Sequence, residues 1–193
     1  MKTVVINRQD RPERLRKSQE QFARYGMEVE VFPAIINGWR GCRDSHLAVL
    51  EKYKDEELLL VFEDDVLFLG EITKPLNQVI NELPVTWDII YLGISPQERY
   101  KQYSMHSFRV GKSYCAHAVL YHNKPDSAVE YILKNRDNIL KYDVFLSEKV
   151  HPLFNCFLIW PMLCTQRQEV SDTCQRSDAS SIMRNYQKYI HAC

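Results

Sequence analysis

The apolar positions of the chain fall into short runs that are separated by segments with helical spacing. Residues 3–6 form a β-branched run, and residues 58–62 are apolar at five consecutive positions. A run of that length is too short for a typical helix and is typical of a strand covered on both faces. Further strands are predicted at 28–32, 88–92, 113–121 and 154–159. We therefore expect a buried sheet with 58–62 as its central strand.

Helices are predicted between these strands. Pro12 fits a first helical turn and Gly26 a helix end, which predicts a first helix between them. Further helices are expected from residue 44 or 45 to about 53, within 75–83 and over 124–135. Strands that alternate with helices predict an α/β fold with a mostly parallel central sheet flanked by helices. No repeat or linker interrupts the chain, so we expect a single domain over residues 1–193.

Two segments show neither a strand nor a helix period. Residues 93–112 hold glycine, serine and several aromatics, and they predict a mobile loop that could act as a lid. The aromatic side chains of Tyr100, Tyr103 and Phe108 could stack on a sugar or simply pack inside the fold. The polar segment after residue 159 is expected to be an irregular tail.

The charge balance excludes some classes of protein. The 193 residues include 25 basic and 25 acidic side chains, so no net field attracts a polyanion and no nucleic-acid partner is expected. The N-terminus lacks the apolar core of a secretory signal, and no apolar run approaches the roughly 20 residues of a membrane helix. We expect a cytoplasmic protein without a transmembrane segment; peripheral membrane association and the oligomeric state stay open.

The acidic triplet Glu63, Asp64 and Asp65 directly follows the central strand. Because side chains alternate along a strand, Glu63 and Asp65 should point to one side and Asp64 to the other. Ligands of open α/β sheets bind at this edge, and oxygen ligands of this kind suit Mn²⁺ or Mg²⁺ together with a substrate diphosphate. The alternative is an acidic strand exit that caps a turn, and the triplet alone does not decide between the two.

Two other groups of residues suggest binding chemistry. Arg11 and Arg14 open the first helix, where backbone N–H groups also favour an anion. Cys42 and His46 are four residues apart on one helix face, which allows a nucleophilic thiol, half of a metal site or a packed thiol; Ser45 and His46 could also contact a ligand. The glycines form no dinucleotide fingerprint, P-loop or nucleophile elbow.

Several segments together carry a more specific resemblance. In chain order they are Val5-Ile6-Asn7, Arg11-Pro12-Glu13-Arg14, Phe32-Pro33-Ala34, Gly38, Gly41-Cys42-Arg43-Asp44-Ser45-His46-Leu47, Val61-Phe62-Glu63-Asp64-Asp65-Val66, Trp87-Asp88-Ile89-Ile90-Tyr91-Leu92-Gly93, Tyr142-Asp143-Val144-Phe145-Leu146, Pro161, Gln166 and Ser171-Asp172-Thr173. This ordered set resembles glycosyltransferase family 25, which includes lipooligosaccharide sugar transferases and procollagen galactosyltransferases. The resemblance covers nearly the whole chain.

The resemblance implies a GT-A-like fold and an inverting transfer of a hexose, such as galactose or glucose, from a UDP-sugar. The acceptor would be a hydroxyl group of a glycan, glycolipid or protein. Mn²⁺ (or Mg²⁺) would be held by Glu63 and Asp65. The residues expected to contact substrate are Asn7, Arg11, Arg14, Ser45, His46, Asp64 and Asp172.

The expected mechanism also needs a base for the acceptor hydroxyl. Asp143 is our candidate, although it could instead cap the short helix that follows, and Asp172 or Asp178 could replace it or complete the metal shell. His117 and His151 are possible third metal ligands. Two alternatives stay open: a nucleotidyltransferase on a similar sheet, and a catalytically silent protein that binds a nucleotide sugar.

Overall fold

A computed structural model of the protein describes residues 1–167 and 179–190. The strands in these ranges are β1 (Lys2–Asn7), β2 (Glu30–Pro33), β3 (Leu58–Glu63), β4 (Val66–Phe68), β5 (Ile89–Pro96), β6 (Lys101–Ser104), β7 (Ser107–Arg109), β8 (Ser113–His122), β9 (Cys156–Ile159) and β10 (Cys164–Gln166). The helices are α1 (Pro12–Arg24), α2 (Gly41–Lys52), α3 (Thr73–Glu82), α4 (Ala128–Lys134), α5 (Tyr142–Phe145) and α6 (Ala179–Tyr189). Short 3₁₀ and π turns cover Arg136–Asn138 and Leu146–Val150.

Eight of these strands form one sheet in the order β2-β1-β3-β8-β5-β9-β7-β6. Strand β1 is parallel to both β2 and β3, and β5 is parallel to β9. Strands β7 and β8 run antiparallel to their neighbours, so the other six strands of this sheet share one direction. The predicted α/β class with a mostly parallel sheet is therefore confirmed. Strands β4 and β10 form a separate antiparallel pair.

Both faces of the sheet are covered, as the apolar run of β3 predicts. Leu59 and Val61 belong to one core, together with apolar residues of α2, α4, α5 and α6. Leu60 and Phe62 belong to the other core, which α1 and α3 complete. Burial of each such side chain stabilises the fold by about 1.5–3 kcal/mol. Alternate residues of β3 thus face opposite helical layers, and this alternation also aims the polar residues that follow.

Three predictions about local structure are wrong. Strand β5 continues to Pro96, and β6 and β7 form a hairpin where a mobile loop is expected; Tyr100 and Phe108 are buried there. Helix α6 lies within the segment expected to be irregular. Helix α2 begins at Gly41, before the start expected at residue 44 or 45, so Asp44 and Ser45 lie inside it.

The physical reason is that partners distant in sequence decide these segments. Strand β7 pairs with β6 and, on its other side, with β9, about 50 residues away along the chain, which joins the hairpin to the sheet. The backbone N–H of Met162 donates to the Tyr186 hydroxyl, which ties α6 to the segment between β9 and β10. Within the described ranges, no helix is both long enough and apolar enough to cross a bilayer.

Candidate functional site

The acidic triplet lies at the edge of the sheet where the parallel strands β1 and β3 end. Glu63 is the last residue of β3, and Asp64 and Asp65 form the tight turn into β4. Asp64 and Asp65 are buried, with 7% and 8% of their surface exposed. Glu63 beside them is half-buried, and removal of three adjacent acidic residues from water is costly unless each carboxylate has compensating partners. The partners of each one define the site.

Asp64 faces α1 and the end of β1. Its Oδ2 accepts a hydrogen bond from Nδ2 of Asn7 at 2.7 Å, and its Oδ1 pairs with Nη1 of Arg14 at 3.1 Å. Burial raises the pKa of Asp64, whereas the Arg14 charge and these hydrogen bonds oppose the rise. Asn7, Arg14 and Asp64 are thus brought together, as a set of polar groups between β1, α1 and the acidic turn.

Glu63 faces the opposite layer and contacts α2. Its Oε1 lies 3.1 Å from Nε2 of His46 and 3.8 Å from Sγ of Cys42. Burial alone would raise the pKa of Glu63, but the hydrogen bond and charge of His46, with a contribution from His117, bring this pKa below its usual value. The His46 ring is held flat against Tyr142, with ring centroids 4.5 Å apart.

Asp65 shares one hydrogen-bond donor with Glu63. Nε2 of Gln166 lies 3.3 Å from Oδ1 of Asp65 and 3.4 Å from Oε2 of Glu63. Burial and the charges of Glu63 and Asp64 raise the pKa of Asp65 to about 7. Asp65 is therefore a carboxylate whose negative charge the described protein groups compensate only in part.

Gln166 and Arg167 hold the main chain of the acidic turn. Strand β10 pairs Gln166 with Val66, which places the Gln166 amide beside the carboxylates. The Arg167 guanidinium donates to the carbonyl oxygens of Asp64 and Val66, and its backbone N–H donates to the carbonyl of Asp65 at 2.7 Å. The sequence singles out Gln166 only through the family resemblance and gives no indication of Arg167, because their approach depends on a pairing 100 residues apart.

Asp143 approaches the same region from α5. The charges of Glu63, Asp143 and Asp65 all add to the effect of burial, which raises the pKa of Cys42 well above its usual value. Asp143 is half-buried, and its Oδ1 accepts from the backbone N–H of Val144 at 2.9 Å. The alternative that Asp143 caps α5 is wrong, since the helix follows Lys141 and has no side-chain cap.

Other predicted residues have partners inside the fold. Arg11 is half-buried in front of α1, and its carbonyl accepts from Asn7 at 3.4 Å. Ser45 is buried, and its hydroxyl accepts from Ile35 N–H at 2.8 Å and donates to the Gly41 carbonyl at 2.6 Å. Its hydroxyl is thus used between α2 and the preceding loop rather than toward the acidic turn. Asp172 and Asp178 lie outside the described residues.

The two histidines proposed as third ligands differ. The hydrogen-bond partners of His151 lie outside the acidic turn. Its Nε2 is 2.7 Å from the Tyr91 hydroxyl, and its Nδ1 is 2.9 Å from the Gly111 carbonyl. His117 is fully buried near Glu63. Burial lowers the pKa of His117 to about 4, although the Glu63 charge and the nearby Cys164 carbonyl oppose this.

The aromatic residues of 93–112 are engaged in packing. Tyr100 and Phe108 are buried in the core, and the half-exposed ring of Tyr103 packs on Phe157 at 4.9 Å. Because two of the three rings are buried and the third packs edge-on against Phe157, sugar stacking finds no support in this hairpin.

The carboxylates, Arg14 and His46 gather at one edge of an α/β sheet, and a family comparison assigns a chain with this arrangement to the glycosyltransferases. The model of glycosyltransferase family 25 (LPS biosynthesis protein) matches residues 35–141, which include α2, the acidic turn and the sheet centre. The chain belongs to this family and is a glycosyltransferase. No curated protein matches the chain significantly.

Solved structures resemble the chain distantly. The chain resembles A197 from STIV, at 11% identity with 88% of this chain and 87% of that chain covered and a TM-score of 0.48. It also resembles a glycosyltransferase involved in the glycosylation of the major capsid of PBCV-1, at 11% identity, 81% and 80% coverage and a TM-score of 0.48. A third is the inositol-1-phosphate CTP transferase from T. maritima, at 13% identity, 98% and 77% coverage and a TM-score of 0.45.

Proposed function

We propose that the protein is a GT-A-like, metal-dependent inverting glycosyltransferase that moves a hexose from a UDP-sugar to a hydroxyl group of a glycan, glycolipid or protein. Family membership supports glycosyl transfer in general. The single observation that carries the finer proposal is the arrangement of Glu63 and Asp65, which share the Gln166 amide at the buried end of β3.

The residues at this edge fit a divalent cation. Glu63 and Asp65 offer hard oxygen ligands, the kind that Mn²⁺ and Mg²⁺ prefer. The pKa of Asp65 is raised because burial and two neighbouring carboxylates disfavour its charge. A cation would remove that penalty, whereas no cationic side chain among the described residues forms a close ion pair with Asp65. In the proposal Glu63 and Asp65 hold the metal, which when bound supplies positive charge for the diphosphate leaving group.

The other residues of the site divide the remaining work. Arg14 and Asn7 fix Asp64, which in turn is available to meet the ribose or the metal shell. Arg11 stands in front of α1, where the first-turn N–H groups favour an anion, and we assign it to the nucleotide or diphosphate side. Ser45 and His46 stabilise the α2 side of the site. Ser45 does so through its hydrogen bond from the Ile35 N–H, and His46 through its contact with Glu63.

Asp143 is the proposed base. It lies on α5, where its charge acts on Cys42 together with those of Glu63 and Asp65, and it is half-buried rather than enclosed, so an acceptor hydroxyl can reach it. In an inverting transfer the base takes the hydroxyl proton while the oxygen attacks the anomeric carbon on the face opposite the leaving diphosphate.

A donor screen tests this function. Purified protein with Mn²⁺ is incubated with a panel of UDP-sugars, with and without simple glycan acceptors, and released UDP is measured. We expect release from one donor or a small subset, with Asp143→Asn reducing transfer more than donor binding. A protein that binds a UDP-sugar tightly but releases no UDP with any acceptor would contradict the proposal, and pyrophosphate release from UTP with a sugar phosphate would replace it with nucleotidyl transfer.

A further inference from the structure

Three side chains on the α2 side of the acidic turn bring metal-binding atoms together. Cys42 and His46 lie one turn apart on α2, and Glu63 reaches them from the end of β3. Oε1 of Glu63 is 3.1 Å from Nε2 of His46 and 3.8 Å from Sγ of Cys42. The three donor atoms all lie within 4.8 Å of one another.

These distances are close to those of a tetrahedral zinc site. With bonds of about 2.3 Å to sulfur and about 2.0 Å to nitrogen and oxygen, neighbouring ligand atoms lie about 3.3–3.6 Å apart. The observed separations of 3.1 and 3.8 Å differ from that range by only a few tenths of an ångström. The third separation, between Sγ of Cys42 and Nε2 of His46, is at most 4.8 Å, so binding of an ion would draw these two side chains closer together.

The set is also held in place. His46 is buried, and its ring lies flat on Tyr142, with an angle of 11° between the two planes. The Arg43 guanidinium, one residue after Cys42, donates to the Ile139 carbonyl at 2.7 Å and so joins the start of α2 to the segment before α5. Fixed ligand orientation of this kind favours metal binding, because little conformational entropy is lost.

A second, independent feature points to a ligand beside Glu63. The β3–β8 pairing sets Phe62 opposite Ala118, so the next positions along it, Glu63 and His117, are neighbours. His117 is fully buried, and neither ring nitrogen completes a hydrogen bond of good geometry with the described residues, although the Cys164 carbonyl is close. An unsatisfied buried imidazole of this kind is destabilising, and a bound ion with its water would supply the missing partner.

We propose that Cys42, His46 and Glu63 bind Zn²⁺ or a similar borderline transition metal, with His117 adjacent to Glu63 across the β3–β8 pairing. The thiolate and imidazole select such an ion over Mn²⁺ and Mg²⁺, which prefer oxygen ligands only. Binding replaces the Cys42 S–H bond with a metal–sulfur bond and releases that proton to solvent. Glu63 then serves both regions, with Oε1 toward this ion and Oε2 toward Gln166 and Asp65. This site does not depend on the proposed glycosyl transfer.

Cobalt substitution tests the site directly. The full chain is stripped with a chelator, dialysed and titrated with Co²⁺, and then Zn²⁺ is added in competition. We expect one equivalent of Co²⁺ to give a thiolate-to-cobalt charge-transfer band in the near ultraviolet, which Zn²⁺ then removes. Absence of that band in folded wild-type protein would overturn the proposal.

Variants assign the ligands. Cys42→Ser should abolish the charge-transfer band, and His46→Gln should weaken Co²⁺ binding by about 100-fold. Cys156→Ala is the matched control, because this buried thiol lies in β9 outside the cluster, and it should leave the band unchanged. Circular dichroism checks that each variant folds. A band that persists in Cys42→Ser or disappears in Cys156→Ala would contradict the assignment.

The same titration separates this site from the proposed function. Asp65→Asn should retain the cobalt band while it loses UDP release. If wild-type protein gives the band but transfers no sugar, the glycosyl-transfer proposal fails and the metal site stands; if it transfers sugar but gives no band, the reverse holds.

Discussion

Asn7 and Asp64 are joined by a 2.7 Å hydrogen bond from Nδ2 to Oδ2, although 57 positions separate them in the chain. Asn7 ends β1 and Asp64 follows β3, so this bond ties the ends of two parallel neighbours together beneath α1. With the Arg14 ion pair, it offsets the cost of burying the Asp64 carboxylate at the end of β3. The contacts of the site therefore also contribute to the stability of the fold.

Replacement of Asn7 should reduce stability. Asn7→Ala removes one donor from Asp64 and leaves Arg14 as its charged partner, so we expect a loss of about 1–3 kcal/mol in the free energy of unfolding. Urea denaturation measures the loss. Gln9→Ala, at an exposed position two residues away, is the control and should change stability by less than about 0.5 kcal/mol. Equal stability of the two variants would show that the Asn7–Asp64 bond contributes nothing.

Removal of the Asp65 charge should have opposite effects on stability and activity. Burial and the charges of Glu63 and Asp64 raise the pKa of this carboxyl to about 7 in the folded protein. Ionisation of Asp65 therefore destabilises the metal-free fold as the pH rises from the pKa of the unfolded chain, about 3.9, through pH 7. Asp65→Asn should therefore stabilise the chelator-treated protein at pH 8 by about 1 kcal/mol or more. Thermal unfolding in excess chelator measures this change. A lower melting temperature for the variant would mean that the carboxylate is well compensated by the protein alone.

Gly93 should tolerate no side chain. A Cβ at this position would lie 2.1 Å from the carbonyl oxygen of Cys164 and 2.7 Å from Nε2 of His117. Since the first contact is with backbone, Gly93→Ala should destabilise the protein by about 2 kcal/mol or more. Gly70→Ala is the matched control, because nothing lies within 4 Å of its Cβ. Urea unfolding of the two variants should differ clearly, and similar midpoints would contradict the packing of β5 against β10.

The stability of the protein should fall in mild acid through His151. Burial lowers the pKa of this imidazole to about 4, so below its unfolded pKa of about 6.5 the unfolded chain binds a proton that the folded chain rejects. The stabilisation is fully present above that range and is lost between about pH 6.5 and 4. From pH 8 to pH 5 the loss attributable to His151 is about 2 kcal/mol.

His151→Gln separates this effect from other titrating groups. The variant cannot bind the proton in either state, so its unfolding free energy should vary less between pH 8 and pH 5 than that of the wild type. His117 has a similarly lowered pKa and should account for part of the dependence that remains. An unchanged pH profile in His151→Gln would exclude the proposed contribution.

Local patterns predict the centre of the fold and the position of the site. The five apolar residues before Glu63 identify a strand buried on both faces, and alternation then directs Glu63 and Asp64 to different layers. Helix α1 is predictable for the same kind of reason, since Pro12 fits its first turn and Gly26 follows its end at a φ of +63°. In these cases the determining interactions lie within a few residues along the chain.

Long-range pairing explains what the sequence does not reveal. Gln166 reaches the carboxylates because β10 pairs with β4 across about 100 residues, and the β6–β7 hairpin joins the sheet because β7 pairs with β9. The contact of Cys42 with Glu63 depends on how α2 packs on the sheet. The local pattern of apolar and polar residues does not predict contacts between segments so far apart in the chain. The roles of Asp143, Arg11 and the metal ligands stay predictions, and Asp172 lies outside the described residues.

The most direct test measures UDP release against Mn²⁺ concentration for the wild type and Asp65→Asn, after chelator treatment and with the donor found in the screen. We predict that the wild type is inactive without added metal and regains activity with Mn²⁺, while Asp65→Asn stays at least about 100-fold less active although it is folded. Full wild-type activity in excess chelator, or an Asp65→Asn variant with wild-type activity, would contradict the metal-dependent mechanism.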